Sequence, residues 1–194
     1  MPVIRDGMIR RVARAVDKAF LLGAGAGADP VKGLATVAGS GAGQVTYSLA
    51  GTGVTVASLR KLRQGLGVWG LDPAEVIYIV NTDIYYQLLD DPVFQTMNQV
   101  GTQATLLTGQ IGQIGGSPVL VSAEYATPGA TGNVAGAIAV NPGNFLVGNQ
   151  RGLRIDTQEL VETQRRVMVA SLRTGMTQVT TAQGLGVAKL TYLA

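Results

Sequence analysis

The chain has 194 residues and a net charge of +3, and it contains neither cysteine nor histidine. These absences exclude disulfides, zinc sites built on thiolates or imidazoles, and catalysis by a histidine base or a cysteine nucleophile. Charged residues make up only 14% of the chain, against about 25% in a typical soluble domain, which indicates a surface covered by other subunits; a well-buried monomer with a bland surface is the alternative.

The first predicted element is an amphipathic helix over residues 8–22, in which Ile9, Val12 and Val16 recur at helical spacing. Its opposite face is basic. We interpret the basic side chains as candidate subunit contacts, although a solvated helix face is the alternative: Arg10, Arg11, Arg14 and Lys18. Binding of nucleic acid by this face is disfavoured because no aromatic platform accompanies it.

Residues 23–53 are rich in glycine and are predicted to form a loop. The run GAGAG lacks the spacing of a dinucleotide-binding fingerprint, and it follows a helix instead of a strand. No cofactor is therefore predicted. No stretch approaches the roughly 20 apolar residues of a membrane-spanning helix, and the N-terminus does not resemble a signal peptide.

A helix from Val54 to Leu66 is predicted next, followed by a strand buried on both faces, Val76–Val80. Asn81 or Thr82 then caps a helix that runs to Leu89. Between these elements lies Trp69, the only tryptophan. It is interpreted as a packing residue or as an interface anchor.

Paired carboxylates offer the one enzymatic alternative. Asp90 and Asp91, or Asp83 with Glu75, could perform acid–base chemistry if they were close together and unequally buried. Because Asp90 and Asp91 precede a proline, a helix stop is the favoured interpretation. No metal site is predicted.

The second half of the chain is predicted to be rich in strands. Residues 93–113 are interpreted as an extended loop. Alternation over Leu160–Leu172 places Val167, Val169 and Ser171 on one face and Met168, Ala170 and Leu172 on the other. Arg165 and Arg166, near its start, are candidate subunit contacts. The other predicted strands are Pro118–Val121, Val134–Val140, Phe145–Val147, Leu153–Thr157 and Val187–Leu193.

Charge is distributed unevenly. The stretch from Gln64 to Gln150 contains no lysine or arginine, and basic segments flank it on both sides. In an assembly, opposite charges on neighbouring copies could steer docking and disfavour wrong contacts.

The order of short motifs resembles the tailed-phage major capsid family, whose fold is shared with encapsulin shells. A helix that ends in DKAFLLGAG is similar to the end of the family's spine helix. The other motifs that carry the resemblance are GADPVKGL, VIYIVNTDIYYQLLDD, GGSPVLVS and GNFLVGNQRGLRI. The resemblance covers nearly the whole chain, and it rests on the order of the motifs because each is short and apolar.

The resemblance implies a mixed α+β fold with two lobes. A peripheral-type lobe would contain residues 1–45 and 152–180, with the spine helix and long strands. An axial-type lobe would contain residues 46–151 and 181–194, with a mixed sheet flanked by helices. The family's N-terminal arm and extended loop have no counterpart here, so the chain is expected to correspond to the C-terminal core.

The resemblance also implies a structural role without enzymatic activity, as a major capsid subunit that self-assembles into an icosahedral phage head enclosing DNA. Pentamers and hexamers of the chain are expected, assembled in the host bacterial cytoplasm and located in the virion capsid. Scaffolding, portal or decoration proteins and weakly bound packaged DNA are the further partners. The alternative within this fold is the shell of an encapsulin-type nanocompartment.

Overall fold

The computed structural model describes residues 2–27, 29–39, 54–91, 112–125, 134–163, 165–181 and 185–192. The helices in these ranges are α1 (Pro2–Leu22), α2 (Leu34–Ala38), α3 (Val56–Gly65) and α4 (Thr82–Leu89). The strands are β1 (Ala24–Ala26), β2 (Asp29–Lys32), β3 (Ile77–Val80), β4 (Gln113–Ile114), β5 (Ser117–Val121), β6 (Val134–Val140), β7 (Phe145–Leu160), β8 (Arg165–Gln178) and β9 (Val187–Tyr192). The α+β class predicted from the sequence is confirmed.

A five-stranded mixed sheet organises the molecule, in the order β4-β5-β3-β6-β9. Strand β3 pairs in parallel with β5 and antiparallel with β6, and β6 pairs antiparallel with β9. Two further pairs stand apart from this sheet: the short β1–β2 hairpin and a long β7–β8 ribbon.

Apolar side chains cover both faces of the five-stranded sheet. Along β3, Tyr78 and Val80 point into a cluster that includes α3 and α4, whereas Ile77 and Ile79 pack against a second cluster that contains the end of α1 and α2. Because successive strand residues face opposite sides, the continuous apolar run places one side chain in each cluster alternately. The strand was predicted to be buried on both faces; the face of Tyr78 and Val80 is buried, and the face of Ile77 and Ile79 is half-buried.

Local sequence signals explain the helix boundaries near this sheet. The Asn81 side chain accepts a hydrogen bond of 2.8 Å from the backbone N–H of Ile84, so it caps α4 as predicted. Helix α3 lies within the predicted range but ends at Gly65. Most of the loop predicted over residues 93–113 lies outside the described residues.

Helix α1 begins at Pro2, six residues before the predicted start at residue 8. Proline is favourable in a first helical turn because its missing N–H would be unpaired there, and an isolated glycine such as Gly7 costs only about 1 kcal/mol in a helix. The glycine-rich segment that follows is not a plain loop. Gly25 and Gly27 adopt φ values of 73° and 65°, which permits the tight β1–β2 hairpin.

The β7–β8 ribbon corrects the predicted strands in this region. Phe145–Val147 and Leu153–Thr157 belong to one strand of 16 residues. Two irregularities in the register, between Asn149 and Arg151 and between Arg151 and Arg154, let this strand accommodate extra residues without ending. The predicted strand Leu160–Leu172 is interrupted, since a 3-10 turn at Val161–Thr163 joins the two strands.

Candidate subunit interfaces

The two faces of the β7–β8 ribbon have different environments. Met168, Ala170 and Leu172 are half-buried, and β8 contacts α1 and β2. On the opposite face, the side chains of Val167 and Val169 are 39% and 55% exposed. The predicted alternation is confirmed from Val167 to Ala170, whereas Ser171, predicted on the face of Val167 and Val169, is half-buried. The structure adds that Met168 and Ala170 lie on the face turned towards the protein.

The β7–β8 ribbon is long and exposes apolar side chains on its outer face. A two-stranded hairpin is marginally stable by itself in water, and its outer face here exposes Leu146 and Leu160 to 62% and 40%. The unpaired backbone edges of such a ribbon are also available to other chains. The ribbon therefore has the properties of a surface that another subunit covers.

An ion pair joins β7 and β8 next to the turn that connects these two strands. The guanidinium of Arg166 donates a hydrogen bond to the carboxylate of Glu159, which lies directly opposite in the register. This hydrogen bond and the positive charge of Arg166 lower the pKa of Glu159. Arg165, the neighbouring predicted contact residue, is exposed at the first position of β8.

The lowered pKa of Glu159 gives a pH prediction with a definite sign. The contribution of this ion pair to stability should be complete above the ordinary pKa of glutamate and should be lost as the pH falls through the lowered value. A carbon-detected NMR titration should find Glu159 titrating below the ordinary glutamate range, and R166Q should return it there. An unchanged Glu159 titration in R166Q would contradict the assignment.

Helix α1 presents its predicted basic face to solvent. Arg10, Arg11, Arg14 and Lys18 are all exposed. One of them has a carboxylate partner within the described ranges: the Nε of Arg14 lies 3.8 Å from Oε1 of Glu124. The apolar side chains Val3 and Ile4 are also 81% and 55% exposed. Their role as subunit contacts stays a prediction.

Trp69 lies in a 3-10 turn over Gly67–Gly70 and packs against the core formed by the sheet, α3 and α4. Its carbonyl accepts a hydrogen bond of 3.0 Å from Nδ2 of Asn141. Its indole N–H is buried and has no partner within the described part of the chain. The environment fits the packing interpretation.

Two of the carboxylates considered for catalysis, those of Asp91 and Glu75, lie within hydrogen-bond distance of other groups of the protein. Oδ2 of the buried Asp91 accepts a hydrogen bond of 3.0 Å from the backbone N–H of Val56, at the start of α3. Glu75 lies 3.4 Å from the amide of Asn141. The segment Asp90-Asp91 ends α4, as predicted. The side chain of Asp91 also caps α3. Across the described residues, no group of three or more acidic side chains could hold a metal ion.

Replacing Asp91 by alanine should lower the free energy of unfolding by about 1.5 kcal/mol, because the first N–H groups of α3 lose a charged acceptor. D91N keeps an oxygen at the same position and should lose less than half as much. Urea denaturation measures both values. Equal losses in the two variants would show that Asp91 does not act as a cap.

Two buried asparagines have structural roles that were not predicted from the sequence. Asn141 caps the turn before β7, and Asn144 is fully buried at the point where the ribbon joins the sheet. Nδ2 of Asn144 donates to the carbonyls of Thr180 and Leu185, at 2.9 and 3.1 Å. The local signal was the sequence Asn-Pro-Gly-Asn, which is typical of a turn.

In the parts of the chain that the structure describes, no helix is long and apolar enough to span a membrane.

Comparison with known proteins links this architecture to phage shells. The chain is 33% identical over 179 residues to the major capsid protein of Escherichia phage T5. The match includes 91% of this chain and 38% of the T5 protein, so the chain spans well under half the length of that relative. No protein-family model matches the chain.

Solved structures give the fold. The chain superposes over its full length on 66% of a chain from the capsid of an empty GTA particle, with a TM-score of 0.74 and 20% identity. A chain of Mycobacterium phage Che8 matches 98% of this chain over 62% of its own length, with a TM-score of 0.69 and 14% identity. The resemblance predicted from the sequence motifs is thus confirmed, and the chain has the fold of the tailed-phage major capsid proteins.

Proposed function

We propose that the chain is the shell-building core of a major capsid subunit and that copies of it assemble into the capsid of a virion. The observation that supports this most directly is the combination of 33% identity to the T5 major capsid protein with a capsid fold over the whole chain. The role is structural and not enzymatic. The exposed ribbon and the basic, partly apolar surface of α1 are consistent with a protein that functions among copies of itself.

The proposal includes an arrangement of lobes and contacts. Residues 1–45 and 152–180 would form the peripheral-type lobe, and residues 46–151 and 181–194 the axial-type lobe. Contacts between subunits would involve the basic residues of α1 and the end of the ribbon at Arg165 and Arg166. Pentamers and hexamers are the expected units, since a closed shell repeats one subunit around different symmetry axes. Scaffolding, portal and decoration proteins and packaged DNA are the proposed further partners.

Light scattering combined with electron microscopy on the purified chain at physiological salt tests this function. Closed shells, or rings of five or six subunits, are the expected result. A clean monomer at high protein concentration would contradict assembly by this chain.

A further inference from the structure

The register of the β7–β8 ribbon places two arginines opposite each other. Arg151 pairs with Arg173, and two residues further along β8 Gly175 pairs with Gly148. Directly opposed residues of an antiparallel pair project from the same face. We call these four residues the paired-arginine site.

The two arginines raise a question about stability, because like charges directly opposite each other destabilise a strand pair. Arg154 and Arg166 on the same ribbon have carboxylate partners in Asp156 and Glu159. Within the described residues, Arg151 and Arg173 have no carboxylate partner, and Arg173 donates one long hydrogen bond of 3.5 Å to Oε1 of Gln150. An external anion would remove the repulsion.

Contacts within one subunit also do not explain why the pair beside the arginines consists of two glycines. Neither Gly148 nor Gly175 adopts a positive φ, and a Cβ atom built at either position would meet nothing within 4 Å. Glycine inside a strand weakens it, and it often marks a place where another backbone approaches closely. An open depression of about 320 Å³ lies here, lined by Gly148, Gln150, Arg173, Thr174 and Gly175.

A matching surface exists elsewhere on the chain. Asp72 and Glu75 are both exposed: Glu75 belongs to the 3-10 turn Pro73–Glu75, and Asp72 precedes this turn and caps it by accepting a hydrogen bond of 2.9 Å from the N–H of Ala74. Leu71, which precedes them, is 76% exposed. Arg63 donates hydrogen bonds to the carbonyls of Gly70 and Leu71, at 2.7 and 3.1 Å, and so holds this turn in place.

We propose that the paired-arginine site binds the Asp72–Glu75 turn of a second copy of this chain. Two carboxylates would meet two guanidiniums, and the turn would approach the bare backbone of the glycine pair. The exposed Leu71 would contact Leu146, which lies on the same face of the ribbon beside the glycines and is 62% exposed. This inference rests on the proposed function, because it requires copies of the chain to associate.

Charge reversal tests the contact. R151E/R173E should raise the protein concentration needed for half-maximal assembly at least about tenfold, because charged pairs at an interface are strongly coupled. The variant K32E/K61E makes the same change in net charge at two exposed positions outside the proposed contacts and should assemble like the wild type. Circular dichroism establishes that both variants are folded.

A reciprocal exchange makes the test specific. D72R/E75R should impair assembly as R151E/R173E does, and the four changes combined in one chain should restore it. Failure of the combined variant to recover, or normal assembly of R151E/R173E, would overturn the contact. If R151E/R173E assembled normally but bound duplex DNA less tightly, the site would be a DNA contact and the proposal would be wrong. A wild-type chain that stays monomeric contradicts the proposed function itself.

Discussion

Replacing Gly33 by alanine should lower the free energy of unfolding by about 3 kcal/mol, the upper end of the usual cost of overpacking. The new Cβ would lie 2.4 Å from the backbone N of Gly23 and 2.8 Å from that of Leu22. Since these are backbone atoms at the end of α1, no side-chain rotation can relieve the clash. The conformation of Gly33, with φ −70° and ψ 161°, is one that any residue can adopt. The loss of stability in G33A would therefore come from the steric clash and not from backbone strain.

The clash would open the junction between α1 and α2. In the folded chain the N–H of Gly33 donates to the carbonyl of Gly23 at 2.9 Å, and the hydroxyl of Thr36 donates to the same carbonyl at 2.7 Å. Separation of these groups would change the direction of α1 and, with it, the proposed shell contacts. Assembly of G33A should therefore fail at temperatures where the sheet is still folded.

Calorimetry measures this effect, and a fall of roughly 10 °C in the melting temperature is expected for a chain of this size. G7A provides the matched control. Gly7 lies inside α1 with nothing within 4 Å of a built Cβ atom, so alanine there should raise the stability by about 1 kcal/mol. A loss below 1 kcal/mol in G33A would mean that the junction is looser than the structure shows.

Replacing Asn144 by alanine should also cost about 3 kcal/mol, because buried backbone groups that lose their partners remain desolvated. Oδ1 of Asn144 accepts from the N–H of Thr180 at 3.0 Å, and its amide donates to two carbonyls. This one side chain joins the start of β7 to the segments that lead out of β8 and into β9. Its loss should release the ribbon from the sheet.

N144D separates hydrogen bonding from side-chain shape. Aspartate keeps the size of asparagine but presents a carboxylate to the carbonyls of Thr180 and Leu185, so N144D should be at least as unstable as N144A. The exposed Asn149 of the same strand is the control, and N149A should change the stability by less than about 0.5 kcal/mol. Urea denaturation supplies the free energies, and hydrogen exchange in β7 and β8 should increase first. A stable N144D would contradict the assigned donors.

Much of the fold was predictable where the signal is local. The apolar run of β3, the Asn81 cap and the full extent of β6 follow from patterns of fewer than ten residues, and the structure confirms them. The two-faced alternation along β8 was also predicted. Period-two alternation identifies two faces but does not say which is buried, and only the contacts with α1 and β2 decide that.

The errors fall where the local signal conflicts with distant contacts. Phe145–Val147 and Leu153–Thr157 were predicted as two separate strands, yet β7 continues through both because the whole length of β8 pairs with it and its register irregularities absorb extra residues. The role of Asp91 was half predicted. A helix stop is visible in the sequence Asp-Asp-Pro, whereas a cap on α3, 35 residues earlier, depends on how the chain returns.

The sequence by itself determined the class of this protein: the absence of histidine and cysteine, the low charge, the order of the motifs and most of the helices and strands. These features depend on composition or on residues that are close together in the chain. The regular geometry of a helix or a strand sets the spacing of such residues. Only the tertiary structure decided the ribbon's continuity and buried face, the Asn144 junction and the pairing of Arg151 with Arg173. Each of these joins residues far apart in the chain, and their meeting depends on strand register and on the packing of the sheet.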